Sequence, residues 1–451
     1  MLKTKKTIFG VFFTIVIIII ASSFSTLIAF ADGDVFSQIS VGRYQSLVVK
    51  NNGELFAWGG NAEGQLGDST FNSAITPRKT MDGIKAVSAG GDVSFALKVD
   101  GSLWAFGNNK DGQFADGTSG NNSSSPVHVL DDVAAVSAGS NFVLALKNDG
   151  SLWSWGYNFD GQLGDGGSSQ RMEPYKIMEN VATFSAGNIH ALAVTTDGTL
   201  WAWGNNENGQ IGDGTSDTKR DPIKIMDYVK SVSAGDNFSM AVKIDGTLWT
   251  WGFNEYGQLG DGTTTSQNRP IKVADDVASA YAGKCTTPDK WWENFGYAMI
   301  IKTDNTLWAW GCNVYGNLGD GSTETKFEQT KIMDDVSKVS LGGHHSLAVT
   351  SDGSLLAWGF NENYDLGDGT VQQRTSPVKI MAGISSSEEA PSMDSIPTPD
   401  PNAKTPAPVE VSKQEDKPVS GFVFTPVLLF SFIFILVVFC VCVVIFVPGK
   451  K

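Results

Sequence analysis

The residues that could carry chemistry are few. The 451-residue chain holds four histidines (His128, His190, His344 and His345) and four cysteines (Cys285, Cys312, Cys440 and Cys442). Metal-assisted hydrolysis would call for His-Glu-x-x-His on a helix, acyl transfer for a Gly-x-Ser-x-Gly elbow, and phosphate binding for a glycine loop ending in Lys-Ser/Thr. None of these occurs, and there is no Cys-x-x-Cys pair. Carboxylates are plentiful, but nothing holds two of them at the separation glycoside hydrolysis requires. No Asp-x-Asp-x-Asp-Gly run gathers the oxygens that calcium needs. The sequence therefore predicts no catalytic residue, no metal and no cofactor.

The chemistry on offer is recognition by aromatic side chains. Trp291 and Trp292 stand side by side in Gly283-Lys-Cys-Thr-Thr-Pro-Asp-Lys-Trp-Trp-Glu-Asn-Phe-Gly-Tyr-Ala298. Cys285 and Cys312 flank this stretch and would pin it if their Cα atoms lie within about 7 Å. Disulfides of this kind belong to oxidising compartments. The elements that must position these residues come from a repeat.

An aromatic residue followed by glycine recurs at Trp58, Phe106, Trp155, Trp203, Trp251, Trp310 and Trp358, with spacings of 48, 49, 48, 48, 59 and 48. A second landmark, a glycine closing a small-residue strand, falls at Gly42, Gly90, Gly139, Gly187, Gly235, Gly283 and Gly342. Such self-similarity is the mark of a repeat architecture. In the second copy the reading is strand A over 86–89, strand B over 94–98, an Asp100-Gly101 two-residue turn with both central residues at positive φ, strand C over 102–106, and strand D over 126–130. Strand C is apolar on both faces, as a strand inside stacked sheets must be. The expectation is an all-β, seven-bladed propeller of four-stranded blades. An open solenoid would need atypical end caps, and the first and last copies resemble the rest.

The phrase Asp-Gly-Thr-Leu-Trp-x-Trp-Gly-x-Asn-x-x-Gly-Gln-x-Gly-Asp-Gly-Thr, at 197–215 and 245–263, resembles the regulator of chromosome condensation repeat, and the resemblance covers about residues 34–384. It implies a seven-bladed propeller. Eukaryotic members include a nucleotide exchange factor for a small GTPase that also docks on chromatin. Secreted bacterial members, whose type this chain resembles, include an inhibitor that binds β-lactamases through one face. The family often carries His three residues after the strand-A glycine; here the position holds Gln45, Val93, Phe142, His190, Phe238 and His345. His345 is thereby read as scaffold.

Composition and the chain's ends bear on location. With 33 Lys+Arg against 48 Asp+Glu and a net charge of −15, the chain is ill suited to binding nucleic acid, whose phosphates demand basic side chains. Residues 1–31 read as a signal peptide, with Lys3, Lys5 and Lys6, an apolar run, and Ala29-Phe30-Ala31 before Asp32. An uncleaved anchor is the alternative. After the repeats (32–384) comes a Pro/Ser/acidic linker over 385–420, then an uncharged transmembrane helix over 421–447, Cys440 and Cys442 included, and a cytoplasmic tail over 448–451. The prediction is a single-pass cell-membrane protein with its propeller outside the cell.

On such a blade the A–B and C–D connections share one rim, and the B–C hairpins and D–A links share the other. The hairpin rim is acidic (Asp100, Asp149, Asp197, Asp245, Asp304 and Asp352), which turn chemistry alone explains. The Leu-Gly-Asp-Gly acids (Asp165, Asp213, Asp261, Asp320 and Asp368) repeat once per copy, as scaffold does. On the A–B/C–D rim the copies differ: Arg43, Tyr44, Tyr157, Phe159, Phe253, Tyr256, Tyr315, Phe360 and Tyr364 join Trp291 and Trp292 as candidate binding residues. Packing across the central channel is the competing role for each. The function predicted is non-enzymatic binding of an extracellular protein, either an enzyme or a cell-wall or host ligand. Nucleotide exchange by family analogy, and glycan binding or processing, are the alternatives.

Overall fold

The computed structural model describes residues 35–287 and 290–382, without the side chains of 286–287 and 290–294. The segments read as signal peptide, linker, transmembrane helix and tail lie outside the described residues. So do the side chains of Trp291 and Trp292. Among the described residues no helix is long and apolar enough to cross a membrane.

Seven four-stranded antiparallel sheets follow one another, each built from consecutive strands in simple up-and-down order. In the first blade, strand A is Phe36–Val41, B is Gln45–Lys50, C is Leu55–Gly59 and D is Ala74–Met81. The pattern repeats through 84–130, 133–178, 181–226, 229–274, 277–333 and 336–381. Strand D is longer than expected from sequence, Ser123–Leu130 in the second blade. None of its eight residues is fully buried, as on an outer edge strand.

The B–C turn corrects one expectation. Only its glycine (Gly101, φ 85°) has positive φ, not both central residues. Lys98 N donates to Ser102 O at 2.9 Å, closing a three-residue loop rather than a two-residue one. The reason is the aspartate: Asp100 Oδ1 accepts from Ser102 N (2.9 Å) and from the Ser102 hydroxyl (2.6 Å). Those bonds hold its carboxyl below the usual range. The same bond from the backbone N two residues on recurs at Asp149, Asp197, Asp245, Asp304 and Asp352. The acidic hairpin rim is thus turn scaffold. The Leu-Gly-Asp-Gly acids are scaffold too, each accepting from the Asn seven residues before it, as in Asn158–Asp165 and Asn206–Asp213.

Adjacent blades are joined by three recurring devices. First, strand-C tryptophans Trp58, Trp155, Trp203, Trp251, Trp310 and Trp358, all fully buried, donate Nε1–H to the preceding blade. The acceptors are the carbonyls of Asp365, Gln113, Gln162, Gln210, Gln258 and Asn317, at 2.8–3.0 Å. Second, the strand-A serines Ser40, Ser88, Ser137, Ser185, Ser233 and Ser340 line the channel. Each hydroxyl oxygen accepts a backbone N–H from the next blade's strand A at 2.9–3.0 Å. In the sixth blade Tyr281 replaces the serine.

The third joint explains the variable first residue of strand B. That residue reaches toward the next blade and meets the second residue of the strand B there. Where it is polar, His190, Tyr297 and His345 bond serines there (Ser239, Ser346 and Ser46), whereas Gln45 donates Nε2–H to the Val93 carbonyl beside Ser94. Where it is apolar (Val93, Phe142 or Phe238), the neighbour is Val143, Ala191 or Ala298, and each pair shares one apolar cluster. His345 Nε2 lies 2.8 Å from Ser46 Oγ, and the Ser46 proton goes to Asp365 O at 2.9 Å. The imidazole must therefore donate, which assigns the proton to Nε2. His190 stands the same way against Ser239, whose own proton goes to Gln210 O. Burial pushes both histidines down to about 3, so they are neutral hydrogen-bonding groups at ordinary pH. Each polar first residue thus finds a polar partner in the next blade, as desolvation demands.

The ring closes without strand exchange, because all three joints recur between the seventh and first blades. Val41 N donates to Ser340 Oγ, Trp58 to Asp365 O, and His345 meets Ser46. Leu347, Val349, Leu355 and Leu366 of the last blade share one apolar cluster with Leu47, Val49 and Trp58 of the first.

Candidate functional site

The rim that carries the A–B turns is built by backbone constraint. Gly204, which ends strand C of the fourth blade, has φ of +103°, and a Cβ there would stand 2.6 Å from Ile189 O in the A–B turn. The glycine after the strand-C aromatic is therefore obligatory, and it presses the A–B and C–D connections together on one face.

The candidate aromatics on this face fall into three groups. Tyr44, Tyr315, His344 and Phe360, from the first, sixth and seventh blades, form a cluster. Tyr315 lies 5.0 Å from both His344 and Phe360, His344 lies 5.7 Å from Phe360, and Tyr44 lies 6.0 Å from His344. The Arg43 guanidinium sits 5.1 Å from the Tyr44 ring centre, within cation–π range. Burial, and secondarily the Arg43 charge, pushes His344 down to about 4. It serves as a neutral ring in this cluster. In sequence the only signal of His344 is its adjacency to His345, a repeat position on the variable rim.

Tyr157 and Phe159 pair edge-to-face at 4.9 Å, and Phe159 is 64% exposed. Phe253 and Tyr256 are different, because both pack onto the cluster that includes Phe295, Cys285 and Cys312, with Tyr256 only 3.9 Å from the Phe295 ring. They support the inserted hairpin from below. That hairpin runs from Val277–Thr287 to Lys290–Lys302, and Tyr297, not any residue near Gly283, takes the seventh first position of strand B, opposite Gly311. A disulfide joins Cys285 to Cys312, with Cα atoms 6.5 Å apart. The Cys285→Ser/Cys312→Ser variant is expected to lose about 2–4 kcal/mol, since the bond closes a loop across 27 residues. A denaturant midpoint unchanged from the parent would contradict this.

Tyr364 departs from the repeat in another way. Six blades place glycine there (Gly64, Gly112, Gly161, Gly209, Gly257 and Gly316), all at positive φ, and Tyr364 keeps φ 67°. A bulky residue in that region costs about 1–2 kcal/mol. The next residue departs as well. Asp365 stands where other blades have Gln or Asn, is fully buried, and its Oδ1 has no hydrogen-bond partner.

The hairpin rim is not wholly polar, which sequence reading missed. Val99 is 72% exposed, and Tyr228 and Ile244 are each 67% exposed. Ile244 N donates to Tyr228 O at 3.0 Å, so these two are neighbours. Their signal was present: apolar residues in turns whose other positions are polar.

Among the described residues no group of three or more His, Cys, Asp and Glu side chains is placed to hold a metal. The rim offers stacking rings, a guanidinium and apolar edges, which suit recognition of a surface.

Fold and rim together define a closed seven-bladed propeller with a variable aromatic face. The chain belongs to the RCC1-like family: the RCC1-like domain matches residues 22–287, and the regulator of chromosome condensation (RCC1) repeat matches 304–349 and 352–388. Among solved structures it is similar to human WBSCR16, at 23% identity and TM-score 0.63 over 73% of this chain and 94% of that one. It is similar also to yeast RCC1 (Prp20) bound to Kap60, at 22% identity and TM-score 0.64 over 76% of this chain and 85% of that one. Prp20p from Saccharomyces cerevisiae, described with its binding properties to Gsp1p and histones, matches at 23% identity and TM-score 0.64, covering 74% and 87% of the two chains. No curated protein matches the chain.

Proposed function

We propose that this chain is a non-enzymatic binding propeller, held outside the cell by its C-terminal segment, that recognises a protein partner through the A–B/C–D rim. The carrying observation is the four-ring cluster of Tyr44, Tyr315, His344 and Phe360, assembled from three blades at positions where the repeat itself requires no aromatic. Two further features support it. Phe159 exposes most of its ring on the same face, and Tyr364 holds a backbone conformation that glycine occupies elsewhere. Strain of that kind persists where another requirement outweighs it. Large, stiff aromatic rings give contact area at small entropic cost, as interface anchors do.

Location is tested by protease treatment of intact cells. The expected result is release of a propeller-sized fragment and loss of partner retention by the cells. A propeller protected until the cells are opened would contradict the extracellular reading and bring nucleotide exchange on a GTPase forward, to be measured as accelerated nucleotide release.

A further inference from the structure

A cavity of about 470 Å³ occupies the channel at the A–B end, lined by strand-A ends and A–B turns. Its wall carries the serine ring. Each of those six hydroxyl oxygens is already an acceptor for the next blade, so its proton is left to turn toward the lumen. Four charged side chains line the same cavity: Arg43, Asp92, Asp236 and Lys284. Two cations and two anions make its formal charge balance zero.

Among the described residues no hydrogen-bonded ion pair joins Asp236 to Lys284 or Arg43, although both cations act against the burial that pushes the Asp236 carboxyl up to about 7. Asp236 is 2% exposed, and its Oδ2 has no hydrogen-bond partner. Lys284, from the sixth blade, donates Nζ–H to Ser140 Oγ of the third blade at 2.6 Å, so it lies across the channel and spends its charge on a neutral hydroxyl. Arg43 and Asp92 meet loosely at 4.0 Å. A buried carboxylate oxygen without a donor is costly, and a ligand donor would relieve that cost. A simple cation seated against Asp236 would also face Lys284 and Arg43, and a simple anion seated against the cations would face Asp236. A molecule carrying both charges meets neither penalty.

We propose that the channel mouth binds a small zwitterion bearing an ammonium and a carboxylate, of the α-amino-acid type. The ammonium faces Asp236, the carboxylate faces Lys284 and Arg43, and the serine hydroxyls donate to the remaining oxygens. The cavity shares Arg43 and His344 with the rim cluster, but its ligand rests on Asp236 and Lys284 in the lumen, which the rim's protein partner does not use.

The test is calorimetric titration of the full chain. Glycine, L-serine and L-glutamine serve as zwitterionic probes, ethanolamine as the ammonium-only probe, glycolate as the carboxylate-only probe and glucose as the neutral one. The expected result is binding of at least one zwitterion, at least tenfold weaker binding of the single-charge and neutral probes, and a tenfold or greater loss in Asp236→Asn. That variant changes charge without changing shape, so it keeps the fold. Lys284→Met is expected to lose affinity similarly, and Asp131→Asn on the opposite rim to leave it unchanged. The proposal is overturned by ethanolamine, glycolate or glucose binding as tightly as the zwitterions, by zwitterion binding that survives Asp236→Asn, or by no probe binding at all.

Discussion

Replacing Trp58 by alanine is expected to cost about 3–5 kcal/mol, the largest loss for any single change considered. Trp58 is fully buried and shares a core cluster with four leucine and valine side chains of the seventh blade, and its indole donates to Asp365 O at 3.0 Å. The substitution removes that volume and leaves the carbonyl with Ser46 alone as donor. Because no strand is exchanged at the closing seam, side-chain joints carry closure, and this is one of the largest. Trp58→Phe provides the control: Phe106 occupies the same position in the second blade, so a phenylalanine is expected to cost only about 1–2 kcal/mol. Chemical denaturation followed by tryptophan fluorescence reads both. Equal stability of Trp58→Ala and the parent would show that the ring is not closed through this contact.

The second large effect is pH-dependent. Burial pushes the Asp365 carboxyl up to about 8, against an ordinary value near 3.9 in an unfolded chain. Between about 4 and 8 the folded protein keeps a proton that the unfolded chain has released, so stability falls as pH rises through that window. Asp365→Asn carries no titrating group there. The variant is expected to gain about 1–3 kcal/mol over the parent on going from pH 5 to pH 9, most of it arriving before pH 8. His190, His344 and His345 act in the opposite sense, their folded values lying well below the usual range. They cost stability as pH falls below about 6.5. Parent and variant share them, so their effect cancels in the difference. A difference that stays flat with pH would mean the carboxylate is accommodated without protonation.

Both effects meet at one seam. Tyr364 and Asp365 replace the Gly-Gln (Gly-Asn in the sixth blade) of the other C–D loops, and the Asp365 carbonyl meets Trp58 and Ser46 of the first blade. The closing joint keeps all three recurring contacts while carrying these two replaced residues. Its cluster of rings on the rim, Tyr44 with His344 and Phe360, lies at the same place.

The blade count and strand order were legible because they depend on locally encoded signals: the strand-C aromatic, its glycine, and the Asp-Gly turn. The turn's true length was not, since it depends on whether Asp100 accepts from Ser102 or bends at positive φ. The variable residue after each strand-A glycine looked like a loss of family pattern. Its logic is a pairing across blades, His190 with Ser239 and His345 with Ser46, and such pairing becomes visible only once each strand's neighbour is known. The rim candidates divided for a related reason. Tyr157 and Phe253 occupy equivalent loop positions, one residue after the strand-C glycine, and only the hairpin beside Phe253 turns it into packing. The lumen charges are not legible in sequence because Asp236 and Lys284 sit 48 residues apart and line one cavity only once neighbouring blades are set about the channel.

The central claim is that partner binding uses the A–B/C–D rim, and it is tested by comparing the two rims directly. Full-length protein would be used to retain a partner beside two variants. One carries Phe159→Ala with Tyr315→Ala and Phe360→Ala. The other carries Tyr228→Ala with Ile244→Ala on the hairpin rim. The account predicts that the first variant loses the partner by at least tenfold while the second retains it. Loss confined to the second variant would contradict the account and assign recognition to the hairpin rim.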